Sequence, residues 1–435
     1  MGDTIRLGDH CSKIGSGATP RGGKDSYLER GPYSLIRSQN VYNDAFSHDG
    51  LAFISQAQAD ALKNVEVFSG DVLLNITGDS VARACQVVDD VLPARVNQHV
   101  AIIRPKPDEV DAGFLRYFLV SPEMQGRMLG LASAGATRPA LTKGMIENFQ
   151  IPALKITEQR AVAAVLCALD DKIALNRRMN ATLEGLARAL FKDWFVDFGP
   201  TRAKASGAKP YLAPEIWSLF PDRLDENGVP EGWEVSEIGK ETKVVGGSTP
   251  STKEPRFWGG GIHWTTPKDL SALKSPVLFE TNRTITEAGL EKISSGLLPV
   301  GTVLLSSRAP IGYVAIAAIP VAVNQGYIAL HCEGRLSNVY VWLWLHENME
   351  AIKGNANGST FQEISKKNFR PLPVVVPSVD VMDAFNEMVM PLYERIEKNE
   401  LESRTLAQSR DLLLPKLMSG ALRVGAAEKI VEGAL

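Results

Sequence analysis

The feature that most constrains this chain is that it repeats itself. Lys13-Ile14-Gly15-Ser16-Gly17-Ala18-Thr19-Pro20 returns as Lys243-Val244-Val245-Gly246-Gly247-Ser248-Thr249-Pro250, an offset of 230. Gly70-Asp71-Val72-Leu73-Leu74 returns as Gly301-Thr302-Val303-Leu304-Leu305 (offset 231), Val96-Asn97-Gln98 as Val323-Asn324-Gln325 (227), and Gly135-Ala136-Thr137 as Gly358-Ser359-Thr360 (223). Four landmarks in one order with a slowly drifting offset are what a duplication with later loop insertions and deletions leaves behind. The architecture must therefore be built twice from one plan.

Each half opens with a block of short apolar runs, such as Val72-Leu73-Leu74, Val100-Ala101-Ile102-Ile103 and Ile328-Ala329-Leu330, separated by Gly, Pro, Asn and Asp. These are strand and turn signals, mixed with helical stretches at 113–128 and 338–353. We read two α+β lobes, 1–156 and 233–378. After each lobe the apolar period changes. Val162, Leu166, Leu169, Ile173, Asn176, Asn180, Leu183, Ala187, Leu190 and Trp194 alternate spacings of four and three, the seam of a coiled coil. Adding 223 gives Phe385, Val389, Leu392, Ile396, Asn399, Ser403, Leu406, Arg410, Leu413 and Leu417, so each helix has the other as its natural partner in an antiparallel pair.

Asn176 and Asn399 fall at equivalent seam positions, where an unpaired amide would cost a few kcal/mol. Meeting amides there would fix the register; a broad helix exposing that edge is the alternative. Pro391 removes a backbone donor, so the second helix is expected to start or kink there. From Val162 to Trp194 the seam spans roughly 48 Å at ~1.5 Å per residue, a rod able to hold two lobes apart. The helices are assigned to 157–198 and 379–422. Residues 199–232 read as an exposed linker from their Gly, Pro, Ala and Lys content, and 423–435 as a patternless tail.

With 435 residues, 22% charged, 44% hydrophobic and a formal charge of −3, the chain is long enough for two or three domains and is neither disordered nor fibrous. No run of about 18 apolar residues occurs, and the first residues are polar, so a cytoplasmic location is expected. Cys11, Cys85, Cys167 and Cys332 contain no CxxC pair and read as buried free thiols.

The common catalytic constellations are missing. Ala18-Thr19-Pro20-Arg21-Gly22-Gly23-Lys24-Asp25 lacks two defining positions of a phosphate loop, the histidines form no HExxH, and there is no GxSxG. Nor is there an Asn/Asp-Pro-Pro-aromatic tetrapeptide. Pro221-Asp222 followed by Glu241-Thr242-Lys243 fits the permissive PD-(D/E)xK pattern of Mg²⁺-dependent nucleases and defines a competing reading. A non-catalytic tandem adaptor is another.

Two similar lobes on a rod suit a protein that reads two places on a regular polymer. Duplex DNA, whose half-sites recur every ~34–36 Å, is the obvious one. Charge is nearly balanced in each lobe, so the positive charge must be local. Arg21 and Lys24 follow the Thr19-Pro20 turn, and Arg37-Ser38-Gln39-Asn40 interleaves donors with acceptors. Lys253, Arg256, Trp258, His263, Trp264, Thr265, Thr266, Lys268 and Asp269 crowd a Gly-rich stretch. The candidate contacts are Arg21, Lys24, Arg37, Ser38, Asn40, Thr77, Arg83 and Arg138 in the first lobe, with Lys253, Arg256, Trp264, Thr265, Lys268 and Arg308 in the second. Asn97-Gln98 and Asn324-Gln325 either join them or satisfy backbone groups. Thr19 and Thr249 read as turn and capping residues. Arg37-Ser38-Gln39-Asn40 has no visible counterpart in the second lobe, and Thr77-Gly78-Asp79-Ser80 faces Arg308-Ala309-Pro310-Ile311.

Lobe, long helix, lobe, long helix resembles the specificity subunit of type I restriction-modification systems. So do Ala189-Leu190-Phe191-Lys192-Asp193-Trp194-Phe195-Val196-Asp197-Phe198 and Leu412-Leu413-Leu414-Pro415-Lys416-Leu417-Met418-Ser419-Gly420, which close the two helices. Trp217-Ser218-Leu219-Phe220-Pro221-Asp222-Arg223-Leu224 and Pro230-Glu231-Gly232-Trp233-Glu234 are similar to that family's lead-in to its second lobe, which gives Pro221-Asp222 a non-catalytic explanation. The resemblance implies a subunit without catalytic residues of its own. Its two target recognition domains would each read one half of an asymmetric, bipartite site in double-stranded DNA, with the paired helices setting the spacer. Two modification subunits would dock on the helices and use S-adenosylmethionine to methylate adenine at N6. Restriction subunits would add ATP- and Mg²⁺-dependent translocation and cleavage. Phe191, Trp194 and Phe195 are candidate docking anchors, with packing between the helices as the competing reading.

Overall fold

The computed structural model describes residues 3–20, 22–43, 45–133, 139–358 and 362–432. The chain divides into two compact units, 1–174 with 403–435 and 175–402, so each contains one lobe and a part of both long helices.

In the first unit, four antiparallel strands run in the order Cys11–Ser16, Val100–Pro105, Val72–Asn75, Ala84–Gln86. A second sheet runs Ala52–Ile54, Tyr33–Ile36, Ala94–Val96, Glu66–Val67, its middle pair parallel. The central strand explains the uninterrupted apolar run in the sequence. Val72 and Leu74 belong to the helix-side core with Leu115, Leu119 and Phe149. Leu73, on the opposite face, packs on Leu35, Ile36 and Val96 of the second sheet. A strand covered on both faces cannot alternate apolar with polar.

The second unit repeats this plan. Lys243–Val245, Tyr327–His331, Val303–Ser306 and Val314–Ala317 form the antiparallel sheet, with Val277–Leu278 added in parallel at its edge. Arg283–Ile285, Trp258–Thr265 and Ala322–Val323 form the second sheet, the last pair again parallel. Val303 and Leu305 belong to the helix-side core and Leu304 to the other. Gly70 and Gly301, at φ +82° and +86°, make the same left-handed turn into these central strands, a conformation that only glycine adopts without strain.

The helical stretches of each lobe are pairs of helices, Ala112–Val120 with Pro122–Ser133 and Asn338–Glu347 with Met349–Gly354. Asp111 and Ser337 cap them equivalently, accepting from the Phe114 and Tyr340 amides.

The long helices run Ile156–Phe195 and Val379–Met418 and pack together. In the first unit Leu166, Leu169 and Ile173 share a core with Leu406, Leu413 and Leu417. In the second, Ala187, Phe191 and Trp194 share one with Phe385, Val389 and Ile396. Within the second unit, Asn176 lies beside Asn399 and Glu402 while Phe191 lies beside Phe385, so one number rises as the other falls and the pair is antiparallel. Asn176 Nδ2 donates to the Asn399 carbonyl at 3.3 Å and to Glu402 at 2.8 Å, and Asn399 Nδ2 donates to Asn180 Oδ1 at 2.8 Å. Each side-chain amide thus donates across the seam to the opposite helix.

Three expectations change. The second helix begins at Val379, where its assigned span begins, and does not start at Pro391, because Phe385 and Val389 upstream of the proline are buried against the first helix. Residues 199–232 are not simply exposed. They form helices Gly199–Ala205 and Pro214–Leu219, then bury Phe220 and Val229, with Phe220 edge-on to Trp194 at 4.8 Å. The tail carries a helix, Val424–Glu432, whose Ala427 and Val431, four apart, join the core around Leu413 and Leu417. All four cysteines are free; only Cys85 is fully buried. Among the described residues no helix is long and apolar enough to cross a membrane.

Candidate nucleic-acid interface

The two parallel strand pairs put the same device at the same end of each lobe. Leu35 pairs with Arg95 and Ile36 with Val96 in the first, and Trp264 with Ala322 and Thr265 with Val323 in the second. Ile36 is therefore equivalent to Thr265, at an offset of 229. The next four residues, Arg37-Ser38-Gln39-Asn40, then match Thr266-Pro267-Lys268-Asp269. Both are capped turns. The Asn40 side chain accepts from the Arg37 amide at 3.0 Å, and Asp269 from the Thr266 amide at 2.7 Å. Each also ties back the far end of its loop: Asn40 donates to the Ser47 carbonyl, and Asp269 accepts from the Asn282 amide at 2.9 Å. The counterpart that could not be aligned by sequence exists, preserved by hydrogen bonding instead of by residue identity.

The neighbouring strand ends bring up the repeated landmarks. Asn97 and Asn324 accept from the backbone amides of His99 and Gly326, at 3.0 and 2.9 Å. The next residues, Gln98 and Gln325, are exposed and accept from the hydroxyls of Thr19 and Thr249. Gly17 and Gly247 permit this clasp. A Cβ there would fall 1.7 Å from the Val96 carbonyl oxygen and 1.6 Å from that of Val323. Thr77 extends the first clasp through His99 Nδ1, 2.5 Å from its hydroxyl. Its equivalent, Arg308, reaches Glu363 at 3.4 Å.

The candidate contacts divide by where their bonding capacity goes. Lys253, Arg256 and Lys268 are exposed; Arg256 pairs with Glu254 at 3.4 Å. Arg37 lies over the Tyr27 ring at 5.3 Å and reaches the Gly50 carbonyl, and Arg83 stacks on Tyr42 at 4.8 Å. Ser38 offers its carbonyl to Asn75. Arg21 and Arg138 lie outside the described residues, and for Lys24 only its place in the turn Gly23–Ser26 is described.

Asn40, Trp264 and Thr265 are turned inward instead. Asn40 and Thr265 are fully buried, Thr265 bonded to Tyr327 at 3.0 Å. Trp264 is 3% exposed, edge-on to Trp258 and donating to the Ser248 carbonyl. The stretch that reads as a Gly-rich loop is a strand, Trp258–Thr265, with an irregularity between Trp258 and Ile262. There Gly260 lets the Ile285 carbonyl approach to within 2.3 Å of where a Cβ would stand. Arg283 was not a candidate. It pairs with Trp264 across the sheet, a non-local neighbour with no signature in the sequence.

The three aromatic anchors are also interior. Phe191, Trp194 and Phe195 are at most 4% exposed. Phe191 and Phe195 each lie 5.0 Å from Tyr340, and Phe195 lies 4.8 Å from Phe385. They join the helix to the second lobe and are not available to a partner. The nuclease pattern dissolves similarly. Glu241 holds Arg335 in a two-point ion pair at 2.6 and 3.0 Å and accepts from Ser236 at 2.7 Å. The Arg335 hydrogen bonds keep its carboxyl below the usual range. Asp222 is exposed beside Lys204. Among the described residues no group of three His, Cys, Asp or Glu is placed to hold a metal.

Comparison with known proteins agrees with the duplicated plan. Residues 3–185 and 230–402 each match the family described as type I restriction modification DNA specificity domain. The HindI specificity subunit of Haemophilus influenzae is 25% identical over 434 residues, covering 89% of this chain and 94% of that protein. The MjaIX specificity subunit of Methanocaldococcus jannaschii is 34% identical over 192 residues, 44% of each chain. The fold is similar to that of the S subunit from M. genitalium, with a TM-score of 0.54 over 96% of both chains at 17% identity. With one such domain in each half, the chain belongs to the type I restriction-modification specificity subunits, which are non-catalytic.

Proposed function

We propose that each lobe reads one half of an asymmetric, bipartite site in double-stranded DNA with the face built at its parallel strand ends, and that the paired helices set the spacer. Two modification subunits bound to this chain then methylate adenine at N6 with S-adenosylmethionine. Restriction subunits supply translocation and cleavage driven by ATP and Mg²⁺. The observation that carries this reading is the capped turn. Its backbone and bonding recur in both lobes, yet its side chains differ: Arg37 and Gln39 turn back onto the Gly50 carbonyl in one, whereas in the other Thr266 bonds Asp269 and Lys268 is exposed. One scaffold with two different sets of donors and acceptors suits two different half-sites, because base identity is read from the pattern of donors and acceptors on the base edges.

Asn176, Asn180 and Asn399 fit a register role. Their bonds are made only when these helical turns face one another. The experiment is to map N6-methyladenine by long-read sequencing in cells expressing this chain with its modification subunit, against cells lacking the chain. A gapped, non-palindromic motif that depends on the chain is expected. A palindromic motif, or none with both proteins soluble and associated, would overturn the reading.

A further inference from the structure

The two capped turns end differently. In the first lobe the turn is closed over: the Arg37 guanidinium and the Gln39 amide both donate to the Gly50 carbonyl, and Ala52 pairs with Leu35 across the sheet. In the second lobe the residue equivalent to Ala52 is Arg283, which pairs with Trp264. Between it and the turn lies an open cleft of about 300 Å³, floored by Trp264, Thr266, Asp269 and Asn282 and flanked by Lys268 and Arg283.

Its charged chemistry is that of a cationic, donor-rich site. Neither Lys268 nor Arg283 makes an ion pair within the described residues, and both are exposed. The one carboxylate nearby, Asp269, is buried, and both its oxygens are occupied: Oδ2 by the Thr266 amide and hydroxyl, Oδ1 by the Asn282 amide and side chain. Arg283 is also pre-positioned. Its guanidinium lies 3.5 Å from the centroid of the Trp258 ring, and Trp258 is itself fixed edge-on against Trp264. A guanidinium stacked on a ring keeps its N–H donors around its rim, free to fork onto a planar acceptor.

Resting on the DNA-reading function above, we propose that Lys268 and Arg283 form the guanine-reading site of the second lobe, and that the first lobe has no counterpart to it. Guanine is the base whose major-groove edge offers two acceptors, O6 and N7, and no donor. Adenine, cytosine and thymine each offer a donor or only one acceptor there. Two cations lining one cleft, its only carboxylate already occupied, favour that edge and lose a partner on any other base.

The test is a binding selection from a randomised duplex library by the full chain in complex with its modification subunits. If the wild-type complex enriches no gapped motif, the DNA-reading function itself fails. With a wild-type motif in hand, K268M and R283Q are each expected to lower the preference for guanine by roughly tenfold or more at a position in one half-site, leaving the other half unchanged. Lys268 is exposed, so K268M keeps the fold even if R283Q disturbs Trp258. Unchanged preferences in both variants would overturn the proposal. So would a uniform loss of affinity with base preferences intact and a shallower salt dependence, which marks a phosphate contact. A change spread over both half-sites would overturn it too.

Discussion

The places where the two lobes meet the helices are equivalent in backbone and opposite in chemistry. In the first unit Asp170 of the long helix bonds Arg116 at 2.9 Å, Arg410 at 2.7 Å and the Tyr117 hydroxyl at 2.7 Å. By the cap correspondence Arg116 matches Trp342, and by the seam offset Asp170 matches Tyr393. In the second unit those two residues are an aromatic pair, with centroids 6.2 Å apart. Arg410 matches Ala187, which is buried there. One position is thus held by a charge network and the other by packed rings. A half-buried network is stable only while each charge keeps its partner, whereas aromatic packing depends on shape and lost water contact. Burial is the largest single influence on the Asp170 carboxyl and raises it, but the Arg116 charge, the bonds from Arg410 and Tyr117 and the Arg410 charge together outweigh it, so its pKa lies below the ordinary value.

This contrast can be broken at either end. The largest effect is expected from Trp342→Ala, which removes a fully buried indole and should cost about 3–5 kcal/mol in denaturant unfolding, with hydrogen exchange rising in the second unit first. Asp170→Asn comes next, at about 3 kcal/mol, because an amide cannot pair with two guanidiniums; protection should fall in the first unit.

Acidification sharpens the comparison, since the aromatic junction is the more acid-sensitive one. His346 lies against Trp342 with Arg188 at 3.5 Å from Nε2, and burial followed by that positive charge depresses its pKa to about 4. A depressed histidine adds stability above its unfolded pKa and loses it as the pH falls. Between about pH 6.5 and 4 the second unit should therefore lose on the order of 2–3 kcal/mol. The Asp170 network, whose carboxyl is also depressed, should give way only below the ordinary carboxylate range. Unfolding curves across this range that weaken the first unit before the second would refute the assignment. The smallest effect is expected from Tyr393→Phe, within about 0.5 kcal/mol by thermal unfolding, because the ring and not the hydroxyl makes the contact.

The seam was legible in the sequence because a helix repeats its face every three or four residues. Leu166, Leu169, Leu406 and Ile396 are each buried as that period requires. The α+β lobes were legible for a similar reason, through apolar runs that mark strands covered on both faces. The candidate interface was legible only in part. Lys268 and Arg37 lie where the strand ends converge, but Thr265, Trp264 and Asn40 looked the same on paper and are inside. A polar or aromatic residue in a loop-like stretch faces outward or inward according to partners such as Tyr327, Trp258 and Ser47, and those partners carry no periodic signal. Phe191, Trp194 and Phe195 failed as docking anchors on the same ground. Their apolar surface was predictable, and what covers it, Tyr340 and Phe385, was not.

The sequence by itself determined that this protein is one design used twice, with strand-built lobes joined by two helices that require each other, because repeats and periods are local or self-referential. Only the tertiary structure decided which donors remain available on each lobe. It closes the first turn over Gly50 and leaves the second open between Lys268 and Arg283, and it fills equivalent junctions with charge in one unit and rings in the other. Those choices depend on hydrogen bonds and contacts between residues distant in the chain, which are set when the sheets and helices come together.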